Sequence, residues 1–341
     1  MSDDLVARLG TLAAQHGGAT DHLVAGIERS GRAIAALRSG LQRAFGPDGL
    51  PGADVLAVGS VARGMCTRGS DIDFYAITDA ELPAETSAKI VEVVLRAAEE
   101  VGLEAPNAVG PLGRAVPRSE VETVHPMDDF PKVMRRMTLV TTSRSLYRSG
   151  MRAEVLARVV DAFLGRDREP RIRGVVDQLI RLLRLSNMLT EMMLGMKTAD
   201  GGLVHWAKVN TLYRLEVASC LAAVFQAETA CAGRPRQVLL DDLIARFERS
   251  PCQRLLDVYD ALDDRGRQWL ASLLFTANDV LRLLGTEGVR ERLAANDGGP
   301  ETERLRAEIL QLIEPLEGTL FRLFYQTDVL GPLTERLALF G

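Results

Sequence analysis

Between residues 55 and 78 the chain reads VLAVGSVARGMCTRGSDIDFYAIT. Asp71 and Asp73 flank Ile72 at the head of an apolar run, Phe74 to Ile77, and Gly59-Ser60 ends an earlier one, Val55 to Val58. Apolar runs this short, bounded by Gly and Ser, read as buried strands. Residues two apart on a strand leave from the same face, so the two carboxylates point together while Ile72 turns into the core. Neighbouring carboxylates repel each other unless one is protonated or a cation lies between them. A hard divalent ion such as Mg²⁺, with oxygen ligands, resolves that conflict. Gly59 lets backbone approach a ligand closely, and Ser60 adds a hydroxyl and an N–H beside it. A helix starting there would turn its first N–H groups toward a phosphate. The residue types and spacing predict a metal-triphosphate site.

The elements that must hold these residues are short and alternate in type. Helical periodicity runs over residues 3–45, broken at Gly17-Gly18, with Thr20 or Asp21 able to cap the second helix. Gly46 to Gly52, with Pro47 and Pro51, turns the chain into the first strand. After the Asp-x-Asp strand, a helix is predicted from about Glu85 to Val101 and closed by Gly102. Leu103 to Val109 is a candidate third strand that Pro106 confines to an edge or an end. A further helix is expected from Asp129 to Ser145, and from about residue 151 the pattern is helical throughout. The fold class predicted is α+β: a small mixed-sheet domain followed by an all-α helical bundle. The divisions expected are 1–48 (N-terminal helices), 49–150 (catalytic domain) and 151–341 (a bundle for substrate binding or regulation).

With 341 residues, 47% apolar and 26% charged, the chain can bury a sizeable core. Its net charge of −5 disfavours a nucleic-acid partner, which needs a basic footprint. The four cysteines show no paired spacing and suggest no zinc site. The N-terminal MSDDLVARL lacks the pattern of a signal peptide, and charges interrupt the longest apolar stretch. The expectation is a soluble, cytoplasmic protein with no membrane partner.

Gly-Ser, ten residues, then Asp-x-Asp on a strand resembles the signature of the DNA polymerase β-like nucleotidyltransferase superfamily. The succession APNAVG, DDFPKVMRRM and TTSRSLY is similar, more narrowly, to the nucleotidyltransferases found beside CBS domains and to the N-terminal part of the PII-protein uridylyltransferase. The resemblance implies Asp71 and Asp73 as catalytic metal ligands, with Gly59, Ser60, Arg63 and Ser70 on the nucleotide. It also implies a third carboxylate on the strand after the helix, which selects Glu104 as metal ligand or base. Glu122 competes, although Ser119 three residues before it forms a capping box that gives Glu122 a structural role; Asp128 and Asp129 stay open. In the helical half, DQLIRLLR and HWAKVNTLYR look like the family's paired helices. Arg181 and Arg184 share a helical face with Asp177, and with Lys208 and Arg214 they could wall the triphosphate or serve as ion pairs within the bundle. His125 and His205 are expected to pack rather than catalyse.

The function expected is Mg²⁺-dependent nucleotidyl transfer, with two ions and Mn²⁺ as an alternative metal. An NMP group would pass from a nucleoside triphosphate to a protein side chain or a small-molecule hydroxyl, releasing pyrophosphate. A tailoring or resistance enzyme acting on an antibiotic or metabolite, and a nucleotide-sensing regulator with little turnover, are the alternatives. The uridylyltransferase's phosphohydrolase part has no counterpart here, since no His-Asp pair has the required spacing.

Overall fold

Two apolar runs and the turn between them set the frame of the α+β fold. The computed structural model describes residues 3–46, 50, 52–105, 112–125, 128–147, 149–164, 171–195, 202–295 and 298–337. In chain order the elements begin with α1 (Asp3–His16), α2 (Asp21–Phe45), β1 (Ala53–Val58), α3 (Gly59–Arg63), β2 (Asp73–Thr78) and α4 (Ala84–Glu100). There follow β3 (Ala115–Pro117), α5 (Arg118–Glu122), α6 (Phe130–Thr142), β4 (Arg144–Ser145), α7 (Ser149–Phe163) and α8 (Arg173–Gly195). Next are α9 (Gly202–Lys208), a π-helical turn at Val209–Tyr213, α10 (Arg214–Ala230), α11 (Arg236–Phe247) and α12 (Pro251–Tyr259). The chain closes with α13 (Asp264–Gly285), α14 (Val289–Ala295), α15 (Pro300–Gln326) and α16 (Gly331–Leu337). Among the described residues, no helix is long and apolar enough to cross a membrane.

The sheet is mixed, in the order β3-β2-β1-β4. β1 and β2 pair antiparallel from Ala53↔Thr78 to Val58↔Asp73, β4 adds antiparallel to β1, and β3 adds parallel to β2. Ile72, Phe74 and Ala76 enter a core with Val55 and Ala57, with Leu37 and Leu41 of α2, and with Ile90 and Val94 of α4. The alternation of a strand therefore sends Asp71, Asp73 and Tyr75 to the opposite face. Tyr75 is fully buried there and donates to the Arg135 carbonyl on α6 at 2.9 Å. Burial pushes its hydroxyl's pKa far up, against weaker opposing effects of Thr138, Arg152 and Arg135.

The strand completing the sheet is not where the sequence pattern put it. Within the expected Leu103–Val109 segment, Glu104 makes a single parallel bridge to Asp71, and residues 106–109 lie outside the described residues. The regular pairing comes later, at Ala115–Pro117. Three residues ending in proline are too few to show a period of two, which is why no pattern announced them.

By its contacts the chain forms two compact units. One contains residues 26–175 and 233–250, so α7 and α11 count with the sheet; Arg236 of α11 is ion-paired with Asp161 of α7. The other contains residues 1–25, 176–232 and 251–341, and its regular structure is helical. In that unit the first turn of α2 is met by a side chain from far along the sequence. The buried Asn278 of α13 accepts from the N–H groups of His22 at 2.8 Å and Leu23 at 3.1 Å. A donor pair left open by the helix start is thereby satisfied from a distant part of the sequence.

Candidate active site

β1 ends where β2 begins, because Val58 pairs with Asp73. The next residue, Gly59, has φ +63°, and a Cβ placed on it would stand 2.3 Å from Asp73 Oδ2. Only glycine supplies both the left-handed backbone and the missing side chain. The bend continues into α3, where no side chain caps the N-terminus and Gly64 closes the C-terminus at φ 79°. Ser60 is half-buried in the first turn, its Oγ 3.9 Å from Cys66 Sγ.

The loop back to β2 is fixed at Cys66 by two neighbouring residues of α2. Arg29 of α2 donates to the Cys66 carbonyl at 3.2 Å, and the Cys66 N–H donates to Ser30 Oγ at 3.3 Å. Nothing local in the sequence marks Arg29 and Ser30 as loop anchors; they act across more than thirty residues. Burial raises the Cys66 thiol pKa, against opposing effects from Ser30, Ser60, Arg29 and Arg63. Arg63 itself is buried, 3% exposed. Ser70, expected beside the nucleotide, bonds within the loop. It is buried, and its Oγ accepts from the Thr67 N–H at 2.9 Å, so its hydroxyl shapes the loop.

Asp71 and Asp73 are both half-buried on one face of the strand. Glu104 lies opposite Asp71: the Ile72 N–H donates to the Glu104 carbonyl at 3.1 Å, and the Glu104 N–H donates to the Ser70 carbonyl at 3.0 Å. Residues paired across a ladder project to the same side, so three carboxylates leave one face, with Glu104 the most exposed. No group of three or more His, Cys, Asp or Glu residues stands close enough to hold a metal ion among the described residues. The Asp pair does fit a hard divalent cation in its donor chemistry, and the place that a Gly59 side chain would take is filled by the Asp73 carboxylate itself.

The other acids are engaged in the scaffold. Glu122 Oε1 accepts from Arg118 Nε at 2.8 Å and Oε2 from Arg158 at 3.1 Å. The capping box expected for it is not formed: α5 starts at Arg118, Pro117 occupies the cap position, and no side chain caps the helix. Asp129 accepts from the Lys132 N–H at 2.9 Å and caps α6, while Asp128 is ion-paired at 2.8 Å to the buried Arg136. Burial pushes the Asp128 carboxyl up, but the His125 N–H and the Arg136 guanidinium outweigh it and hold the pKa below the usual range.

Asp177, Arg181, Arg184, Lys208 and Arg214 all belong to the helical unit. Arg184 is exposed, and Arg181 and Lys208 are half-buried. Arg214 is ion-paired with Glu317 and donates to Asn210 Oδ1 at 2.9 Å, so its charge is answered within the bundle.

Residues 35–107 match the family model described as a nucleotidyltransferase domain. The matched stretch runs from the second half of α2 through β1, α3, β2 and α4 to Glu104. No curated protein matches the chain.

Proposed function

We propose, from the premise that residues 35–107 are a nucleotidyltransferase domain of the DNA polymerase β-like superfamily, that the chain transfers an NMP group from a nucleoside triphosphate to a hydroxyl acceptor. The acceptor is a protein side chain or a small molecule. The observation that carries the reading is that the Asp73 carboxylate fills the place a Gly59 side chain would take. It joins the bend suited to a phosphate tail to the acid pair suited to a cation.

In this reading Asp71 and Asp73 hold Mg²⁺, with two ions engaged and Mn²⁺ able to substitute. The chemistry such an ion supplies when bound is neutralisation of triphosphate charge and polarisation of the attacked phosphoryl group. Gly59 and Ser60 position the β- and γ-phosphates through backbone N–H groups and a hydroxyl. Arg63 adds positive charge from the last turn of α3. The acceptor oxygen forms a bond to the α-phosphorus as the bond to the β-bridging oxygen breaks and pyrophosphate leaves. Glu104, on the same face as Asp71, is the carboxylate available to take the acceptor's proton.

The test is incubation of the protein, Asp71→Asn and Asp73→Asn with Mg²⁺ and labelled nucleoside triphosphates across protein and small-molecule acceptors. Loss of both pyrophosphate release and label transfer by orders of magnitude is expected in each variant. Unchanged turnover in both overturns the assignment. A second reading, a nucleotide sensor with little turnover, is favoured by the solvent exposure of Glu104 beside the half-buried pair. It predicts tight binding of a non-hydrolysable triphosphate without pyrophosphate release from any acceptor.

A further inference from the structure

The helical unit contains a cavity of about 330 Å³ between α8, α10 and α15. Its walls are apolar, with Leu183 from α8, Val217 and Leu221 from α10, and Leu320 and Phe324 from α15. Three polar residues interrupt them: Asn187, Arg214 and Glu317. Arg214 and Glu317 answer each other in an ion pair. Asn187 is different, because its Oδ1 is buried and accepts no hydrogen bond among the described residues. An amide oxygen taken out of water without a donor is unfavourable unless something else supplies one.

Two further features mark the cavity as more than a packing flaw. The π-helical turn Val209–Tyr213 runs directly into Arg214 on the cavity wall, and such turns recur at functional positions. Phe321, also in the lining, is 52% exposed and stacks on Tyr325 with ring centroids 4.7 Å apart, so an aromatic surface stands open to solvent. The volume lies at the low end of the range for small-molecule pockets and is too small for a partner's helix.

We propose that this cavity binds a small aromatic or alicyclic molecule carrying a hydroxyl or amine. Its ring body packs on Leu183, Leu221 and Phe324, and its donor bonds to Asn187 Oδ1. The inference does not depend on nucleotidyl transfer, since every residue in it belongs to the helical unit.

The test uses the full chain, isothermal titration calorimetry and two probes that share a ring system. 2-Naphthol carries the donor, and 2-methoxynaphthalene does not. One saturable site is expected for 2-naphthol, with an affinity about tenfold above that of the ether. Asn187→Ala should bring the two probes to near-equal affinity. Leu183→Trp and Ala218→Phe each place bulk in the cavity and should abolish saturable binding, with circular dichroism and unfolding midpoints verifying their fold. Failure of 2-naphthol to saturate the wild-type protein overturns the proposal, as does unchanged binding in folded forms of both filled variants. If neither filled variant folds, Asn187→Ala decides: an undiminished preference for 2-naphthol overturns the proposal.

Discussion

The absent side chain of Gly59 is what makes room for the Asp73 carboxylate. A methyl group on the glycine would stand 2.3 Å from Oδ2 and 3.1 Å from Cβ of the aspartate. The strand register puts the two together, because Val58 and Asp73 are partners and Gly59 is the first residue past the pair. The bend and the acid pair are thus one geometric unit.

Gly59→Ala should therefore disable the site without unfolding the domain. The left-handed backbone costs a non-glycine residue about 1–2 kcal/mol, and the new methyl group must push Asp73 aside. A displacement near 1 Å is expected to lower kcat/KM roughly hundredfold. Pyrophosphate release measured beside a thermal melt checks this, and full activity in the variant would contradict the geometry.

Glu104 and Glu122 should separate cleanly under substitution. Glu104 pairs with Asp71 through the backbone and shares its face, whereas both oxygens of Glu122 are taken by arginines. Glu104→Gln is expected to reduce kcat by roughly 10²–10⁴-fold, the usual contribution of a proton-transferring group, with little effect on stability. Glu122→Gln should instead lower stability by about 1 kcal/mol and leave kcat near wild type. Steady-state rates and urea midpoints on both variants would show the reverse pattern if the roles were exchanged.

How far the sequence speaks can be traced in these residues. β1 and β2 are apolar runs with sharp boundaries, and the alternation that buries Ile72 between Asp71 and Asp73 follows from strand geometry alone. The boundaries of α1, α2 and α4 follow the apolar period and the glycines that end it. Glu104 was reachable only by placing it on the strand after α4, and the bridge to Asp71 involves one residue pair too isolated to leave a pattern. β3 is too short for periodicity. Ser119 and Glu122 carry the letters of a capping box, but Arg118 one position earlier binds Glu122 more strongly than a backbone N–H can. The bond from the Thr67 N–H to the Ser70 hydroxyl lies inside the loop and leaves no periodic trace. Long-range partners such as Asn278 leave no local trace.

Asn278 gives a stability prediction inside the helical unit. It is buried and accepts from two N–H groups at the start of α2, those of His22 and Leu23. Asn278→Ala leaves both donors without that acceptor and is expected to cost about 1–3 kcal/mol. Asn278→Asp keeps an acceptor oxygen but sets a second carboxylate against Asp21, to which the amide donates at 3.4 Å, and should recover only part of the loss. Urea unfolding of the three proteins checks the order; an Ala variant as stable as wild type would refute the capping role.

Asp128 makes stability depend on pH with a definite sign. The His125 N–H and Arg136 hold its carboxyl below the ordinary aspartate value despite the cost of burial. In the unfolded chain the group titrates near that ordinary value, so between the two pKa values the unfolded state binds more protons. Its stabilising contribution is complete above about pH 4 and is lost as pH falls through the lower, folded-state value. Asp128→Asn should lower stability near neutral pH, because the buried Arg136 loses its ionic partner. The variant should also show a shallower decline on acidification than the wild type, so that the two stability curves converge toward low pH. Unfolding midpoints measured from pH 7 down to the acid limit test this. Parallel curves would mean that the carboxyl of Asp128 titrates alike in the folded and unfolded states.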